Sequence, residues 1–197
     1  MNNVALCYSK RQGVTQDFTK AFEWYLKAAN NGDATAMNYI GICYLKGKGV
    51  TQDFTKAYEW YLKSANNGNA ATMTVVGMCY EEGKGVTQDF TKSFEWYLKA
   101  AKNGYTLAMN NIGKCYDKGQ GVKKDLTKAF EWYLKAANNG DGVAIQKLGD
   151  CYKNGNTFAK SIDKAIHFLQ MKADKGDENA MKQLAWHHEN GVGIYVD

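Results

Sequence analysis

Five cysteines, three histidines and a recurring Gly-Lys-Gly turn are the residues from which this chain could build chemistry. Thiols can pair as disulfides, ligate a metal or attack a carbonyl. Histidines can ligate metals or move protons. Gly-Lys-Gly turns can cradle a phosphate. The spacing argues against each use. Cys7, Cys43, Cys79, Cys115 and Cys151 stand 36 residues apart, so each would sit at the same place in a repeated unit. In stacked helices such places lie roughly 8–10 Å apart, beyond the reach of a disulfide, about 7 Å between Cα atoms. The cysteines therefore read as small buried hydrophobes and not as a redox device. His187 and His188 are adjacent and point about 100° apart on a helix, so with Glu189 they make a poor metal chelate, and no metal or cofactor is expected. His167 is the remaining histidine, and the first four units contain none. No nucleophile, base and orienting group can be assembled. Gly47-Lys48-Gly49 follows no strand and lacks a following Ser or Thr after a Gly-Lys pair, so it reads as a turn between helices.

The elements that hold these residues repeat as well. Trp24, Trp60, Trp96 and Trp132 share the period of 36. Two residue series with one period make the chain a tandem array from end to end. Cut at the aspartates, it divides into a partial repeat at 1–16, full repeats at 17–52, 53–88, 89–124 and 125–160, and a degenerate repeat at 161–197. Each unit holds two helical patterns. Helix B runs from Asp17 to about Asn31, with Asp17 as N-cap. Phe18, Ala21, Phe22, Tyr25, Ala28 and Ala29 form its apolar stripe. Glu23 and Lys27 form a pair across one turn that recurs in every full unit, and each pair is expected to add about 0.2–0.5 kcal/mol. Gly32 suits a left-handed C-terminal cap. Helix A starts at Asp33 and places Ala36, Met37, Ile40, Cys43 and Tyr44 on one face. Gly41, repeated at Gly77, Gly113 and Gly149, costs about 1 kcal/mol against Ala inside a helix. Its recurrence predicts a close approach of two helices there. The chain has no proline, so glycine supplies the punctuation.

A stretch such as A-M-N-Y-I-G-I-C-Y-L-K-G-K-G-V-T-Q-D-F-T-K-A-Y-E-W-Y-L-K-S-A-N-N-G resembles the Sel-1-like repeat, a branch of the tetratricopeptide-like superfamily. The matching features are Gly41, Tyr44, Gly47-x-Gly49-Val50, Asp53-x-x-Lys56-Ala57, Trp60-Tyr61, Ala65 and Gly68. The resemblance covers nearly the whole chain. It implies an all-α, right-handed α-solenoid of antiparallel helical hairpins. It also implies an adaptor that binds proteins or peptides. Some members carry two cysteines per unit in a disulfide; this chain carries one.

Composition narrows the partners. The formal charge of +5 is spread through the repeats, and Arg11 is the sole arginine. A solvated basic face is expected, with no nucleic-acid partner and no membrane. No signal peptide or membrane span is visible. Unpaired cysteines fit a reducing compartment, which favours the cytoplasm. The chain opens within a helix A pattern and closes at Asp197, where a helix B would begin. The expectation is a fragment of a longer array, or ends covered by another molecule.

The helix A face opposite the cysteines varies between units and includes Thr35, Asn38 and Lys46. In tetratricopeptide-like solenoids helix A lines the concave side, so this face would be the groove. It carries Leu6, Tyr39, Ile42, Leu45, Val75 and Met78 early, with Glu81 and Glu82 at its edge. It turns polar at Asn110, Asn111, Lys114 and Lys147, and Trp186 reappears at the far end. Two readings fit the apolar residues: irregular exposure, including contact with a neighbouring turn of the superhelix, or a peptide groove. The groove would suit a ligand with an apolar anchor and an acidic segment near Lys114 and Lys147. The function expected is a protein-interaction scaffold without catalysis. The alternatives are a structural spacer within a larger protein and, behind it, an enzyme or small-molecule binder, which would need a closed pocket.

Overall fold

Asp17, Asp53, Asp89 and Asp125 each accept a hydrogen bond from the backbone N–H three residues on, at 2.9 to 3.0 Å. That bond starts the first four B helices. It also holds the Asp17, Asp53 and Asp89 carboxyls below their ordinary pKa, because the charged form is the better acceptor. Asp33 and Asn69 cap helix A in the same way, accepting from Ala36 and Thr72.

A computed structural model of the chain describes residues 1–153, 166, 169–170, 173–174, 176 and 178–189. Among these residues the fold is helical with no strand. The helices are α1 (Asn2–Lys10), α2 (Phe18–Asn30), α3 (Ala34–Lys46), α4 (Phe54–Asn66), α5 (Ala70–Glu82), α6 (Phe90–Lys102), α7 (Thr106–Lys118), α8 (Leu126–Asn138), α9 (Gly142–Lys153) and α10 (Glu178–Glu189). Odd-numbered helices from α1 to α9 are A helices and even-numbered ones to α8 are B helices. They form two compact units, Met1–Tyr105 and Thr106–Asp197.

Each helix A packs most extensively on the helix B that follows it: α1 on α2, α3 on α4, α5 on α6, α7 on α8. The physical hairpin therefore begins at helix A. The aspartate used above as a sequence boundary lies in its middle.

The recurring helix A glycine is the seat of this contact. A Cβ on Gly77 would lie 2.5 Å from Tyr97 Cε1, and one on Gly113 the same distance from Tyr133 Cε1. Gly41 faces Tyr61 in the same way. These tyrosines are buried, with Tyr97 at 0% exposure. Burying each ring contributes roughly 1.5–3 kcal/mol, which outweighs the propensity lost at glycine.

Hairpins then join through tryptophan and small residues. Trp60 of α4 packs on the first cluster, around Ala21, Tyr25, Ala36 and Ile40. Trp96 of α6 packs on the next, around Ala57, Tyr61, Ala65 and Val76. Within Thr106–Asp197 a core of Ala129, Phe130, Tyr133, Ala136 and Leu148 gathers α8 and α9, and Leu169, Ala173, Ala180 and Leu184 form a separate cluster.

Two details of helix B depart from the sequence reading. Lys27, Lys63, Lys99 and Lys135 do not pair with the glutamate four residues back. Each stands over the Trp three residues back, at 4.2 to 4.5 Å from the ring centroid. The ring is half-buried and its face attracts the ammonium, whereas the exposed glutamate stays hydrated. The ion pairs of helix B are at its start, between Lys20, Lys56, Lys92 or Lys128 and the capping aspartate, at 3.4 to 3.6 Å.

The A–B connection is pinned at three points. Lys48 N–H bonds Cys43 O at 3.0 Å, Asp53 N–H bonds Tyr44 O at 3.0 Å, and Gln52 Nε2 donates to Leu45 O at 2.7 Å. Gly47 begins it with φ +64°. The same place in the first hairpin is Arg11 at φ +59°, the one non-glycine residue with positive φ among those described.

Cys43, Cys79 and Cys115 are buried, Cys7 is half-buried, and none of the four forms a disulfide. Burial pushes the Cys43 and Cys79 thiols up to about 11. Cys151, in the last turn of α9, has its side chain outside the described residues, as do the side chains of His167 and His187 and most of the fifth unit.

Three outcomes follow. Gly77→Ala loses about 1–3 kcal/mol in a urea melt, because Tyr97 must leave its seat; an unchanged midpoint would show that the ring gives way freely. Arg11→Gly gains about 1 kcal/mol by relieving a left-handed residue, read in the same melt. The fold favours protonated Cys43 and Cys79, whose pKa of about 11 exceeds the ordinary 9.0. Their contribution is whole below pH 9 and is lost as pH rises through 11. The melting temperature should fall across that window, and less steeply in Cys43→Ala/Cys79→Ala.

Candidate interaction face

The variable side of helix A forms a small grid on α1, α3 and α5, because residues 36 apart repeat on successive A helices. One row is Asn3, Tyr39 and Val75. The next is Leu6, Ile42 and Met78. The last is Ser9, Leu45 and Glu81.

Most of the grid is half-buried. Tyr39 stacks on the buried Tyr25, with centroids 4.8 Å apart and planes at 18°. Ile42, Leu45 and Val75 pack around one cluster with Tyr61, Val76 and Cys79. Leu6 is half-buried on α1. Met78 stands out with 38% of its surface exposed. The structure therefore brings Ile42, Leu45, Val75 and Met78 together, and inter-helix packing accounts for much of the apolar content of this face.

The last row does a job that sequence patterning missed. Glu81 Oε2 accepts a hydrogen bond from Tyr97 Oη at 2.5 Å, and Ser9 bonds the Tyr25 hydroxyl. In these two hairpins the polar residue of the row engages the hydroxyl of the buried helix B tyrosine; in the hairpin between them the same place is the apolar Leu45. Burial holds the Tyr25 and Tyr61 phenols above their ordinary range. Tyr58 and Tyr80 share a hydrogen bond at 2.7 Å between their hydroxyls. That pair exists because Tyr58 stands where three other hairpins have Phe22, Phe94 and Phe130.

Thr106–Asp197 carries a different set, and two expected residues are corrected. Asn110 and Asn111 are buried, 1% and 5% exposed, and do not line an open face. The equivalent of Asn110 on α1, Asn2, donates to Asp33 Oδ2 at the start of α3. This side of a helix A therefore meets the next helix A. Asn110 Oδ1 is buried with no hydrogen-bond partner among the described residues. Lys114 Nζ donates to Asn111 Oδ1 at 3.4 Å. Lys147 on α9 and Trp186 on α10 are half-buried.

Among the described residues no group of three or more His, Cys, Asp or Glu could hold a metal ion. No helix among them is long and apolar enough to cross a membrane.

A profile of the Sel1 repeat matches six consecutive segments: 1–33, 34–69, 70–105, 106–141, 142–177 and 179–197. The second to fourth segments each begin at helix A, in register with the hairpins. Among solved structures, c5321 of uropathogenic Escherichia coli, a protective antigen with an SLR fold, is 32% identical with a TM-score of 0.79. It covers 100% of this chain, which spans 42% of the c5321 chain. A Sel1 repeat protein of Oxalobacter formigenes is 33% identical with a TM-score of 0.75, over 94% of this chain and 76% of its own. Cysteine rich protein B of Helicobacter pylori, 22% identical over 68% of this chain and 96% of its own with a TM-score of 0.54, shares the fold. No curated protein sequence matches the chain. The repeated hairpins form an α-solenoid, and with the profile matched along nearly all its length the chain belongs to the Sel1 repeat family.

Proposed function

We propose that this protein is an adaptor whose helix A face binds a peptide or protein segment. Sel1 repeat proteins are in general protein-interaction scaffolds, not enzymes. The observation that carries the placement is Met78. It is a flexible apolar side chain, 38% exposed, in a row with Leu6 and Ile42 and flanked by Val75 and Leu45. A methionine on a helical face adapts to varied apolar partners. A ligand would seat an apolar side chain against Met78, Ile42 and Val75, supplying most of the affinity, while Tyr39 and the polar margin set register. Within Thr106–Asp197, taken by itself, Lys114 and Lys147 would attract an acidic segment, with Trp186 as an apolar contact. In this reading Asn110 and Asn111 support the helix that carries Lys114 and do not touch the ligand. The partner in this reading is a protein or peptide, with no nucleic-acid or membrane partner.

The test is affinity capture from source-cell lysate with the wild type, Met78→Glu and, as a control exposed on α4, Glu59→Gln. The segment retained by wild type is then titrated against all three. Met78→Glu should weaken it about tenfold or more, equal to about 1.4 kcal/mol, with an unchanged helical melt. Equal affinity for wild type and Met78→Glu would remove the apolar row from the binding face.

A further inference from the structure

The helices α2, α4, α6 and α8 end in an asparagine followed by glycine: Asn31-Gly32, Asn67-Gly68, Asn103-Gly104 and Asn139-Gly140; two more such pairs, Asn154-Gly155 and Asn190-Gly191, lie outside the described residues. Asparagine before glycine is the pair most open to self-modification. The unhindered backbone nitrogen of the glycine attacks the side-chain amide carbon. A C–N bond forms, the bond to Nδ2 breaks, and ammonia leaves with the proton from the attacking nitrogen. The resulting succinimide takes up one water and opens to aspartate or isoaspartate. No oxidant or enzyme is required.

The fold holds both reacting groups away from this path. The asparagine is the C-cap and its Nδ2 donates to the carbonyl of the lysine four residues back, at 3.2 Å for Asn31, 2.9 Å for Asn67 and Asn103, and 2.8 Å for Asn139. The same Nδ2 reaches a helix A methionine sulfur of its own hairpin: Met1, Met37, Met73 and Met109 at 3.6 to 3.8 Å. The glycine nitrogen is engaged too. Gly32 N–H bonds Ala29 O at 2.9 Å and Gly140 N–H bonds Ala137 O at 2.8 Å. Attack therefore requires the helix end to open.

The anchors differ between hairpins. Met37 is buried at 8% exposure, and Met73 and Met109 are half-buried. Met1 is 58% exposed and precedes a helix that has no side-chain cap. Asn31 also makes the longest bond to its lysine carbonyl. We propose that Asn31 is a spontaneous modification site, converted through a succinimide to aspartate and isoaspartate, and that helix packing spares the other three asparagines. Conversion removes the donor that ties α2 to Lys27 O and Met1. It also places a carboxylate beside the last carbonyls of α2, where the helix dipole disfavours it. The first hairpin would loosen with age while the later ones hold.

The chain carries its own control. Residues 28–33 and 136–141 are the same hexapeptide, Ala-Ala-Asn-Asn-Gly-Asp, so Asn31 and Asn139 have equal intrinsic reactivity. The folded protein is aged at pH 7.4 and 37 °C, digested, and each site is followed by mass spectrometry; a parallel sample is aged in 8 M urea. Asn31 should convert about tenfold faster than Asn139 when folded, and the two rates should converge in urea, since only local opening distinguishes them. Met109→Ala, which removes the anchor of Asn139, should accelerate that site severalfold. Equal rates in the folded protein, or a difference that persists in urea, would overturn the proposal.

Discussion

The array depends on a flat ring lying where a side chain is missing. In the hairpins of Gly41, Gly77 and Gly113 the tyrosine of helix B occupies the space left by the glycine of helix A, and this sets how near the two helices come; the first hairpin has the small Ala5 at that place. Several other choices are consequences of that nearness. Small residues, alanine or serine, fill places 21, 28 and 29 and their repeats, because larger side chains would hold the pair apart. The cysteine two residues beyond the glycine is compact for the same reason. The tyrosine hydroxyl, carried inward by the ring, needs an acceptor or donor. Ser9 and Glu81 provide one from helix A. The polar margin of the candidate face is thus partly an answer to a packing problem.

Charge is arranged around aromatic rings more than around opposite charges. Lys27 and its repeats cover tryptophan faces, Lys20 and its repeats approach Tyr8, Tyr44, Tyr80 and Tyr116, and Lys48 and Lys84 lie over Phe18 and Phe54. The long alkyl stems shield half-buried aromatic surface while the ammonium groups stay wet. A modestly basic chain of this kind keeps its lysines occupied locally, which fits a surface selected for stacking and solubility.

The fold was legible because its determinants are local and repeated. Asp17 announces a cap, Gly32 a stop, and the three- and four-residue steps of Phe18 to Ala29 announce a stripe. The glycine at 41 signalled a close approach, although its partner, the ring of Tyr61, was not readable from periodicity. The site was less legible, because exposure on helix A depends on a neighbouring helix A that no single unit encodes. Asn110 and Asn111 looked like a solvated face by polarity, yet both are buried: Asn110 takes the place of the buried Thr74 of α5, and Asn111 that of the half-buried Val75. Polarity reports exposure only where water is the default neighbour. Lys27 misled for a similar reason: the spacing to Glu23 was right for a pair, but the half-buried ring of Trp24 was the nearer attraction.

The pinned A–B connection governs how such a chain can change in length. Its three bonds join the end of helix A to the start of helix B at fixed separations, and its second glycine, Gly49, passes against the backbone of Phe18 in the preceding helix B. One inserted residue would unseat all of these at once and turn the following cap out of register. Growth by single residues is therefore closed to this segment, while duplication of a whole unit leaves every bond intact. Near-identical copies such as residues 17–32 and 125–140 are what a lineage lengthening by such whole-unit copying would leave behind.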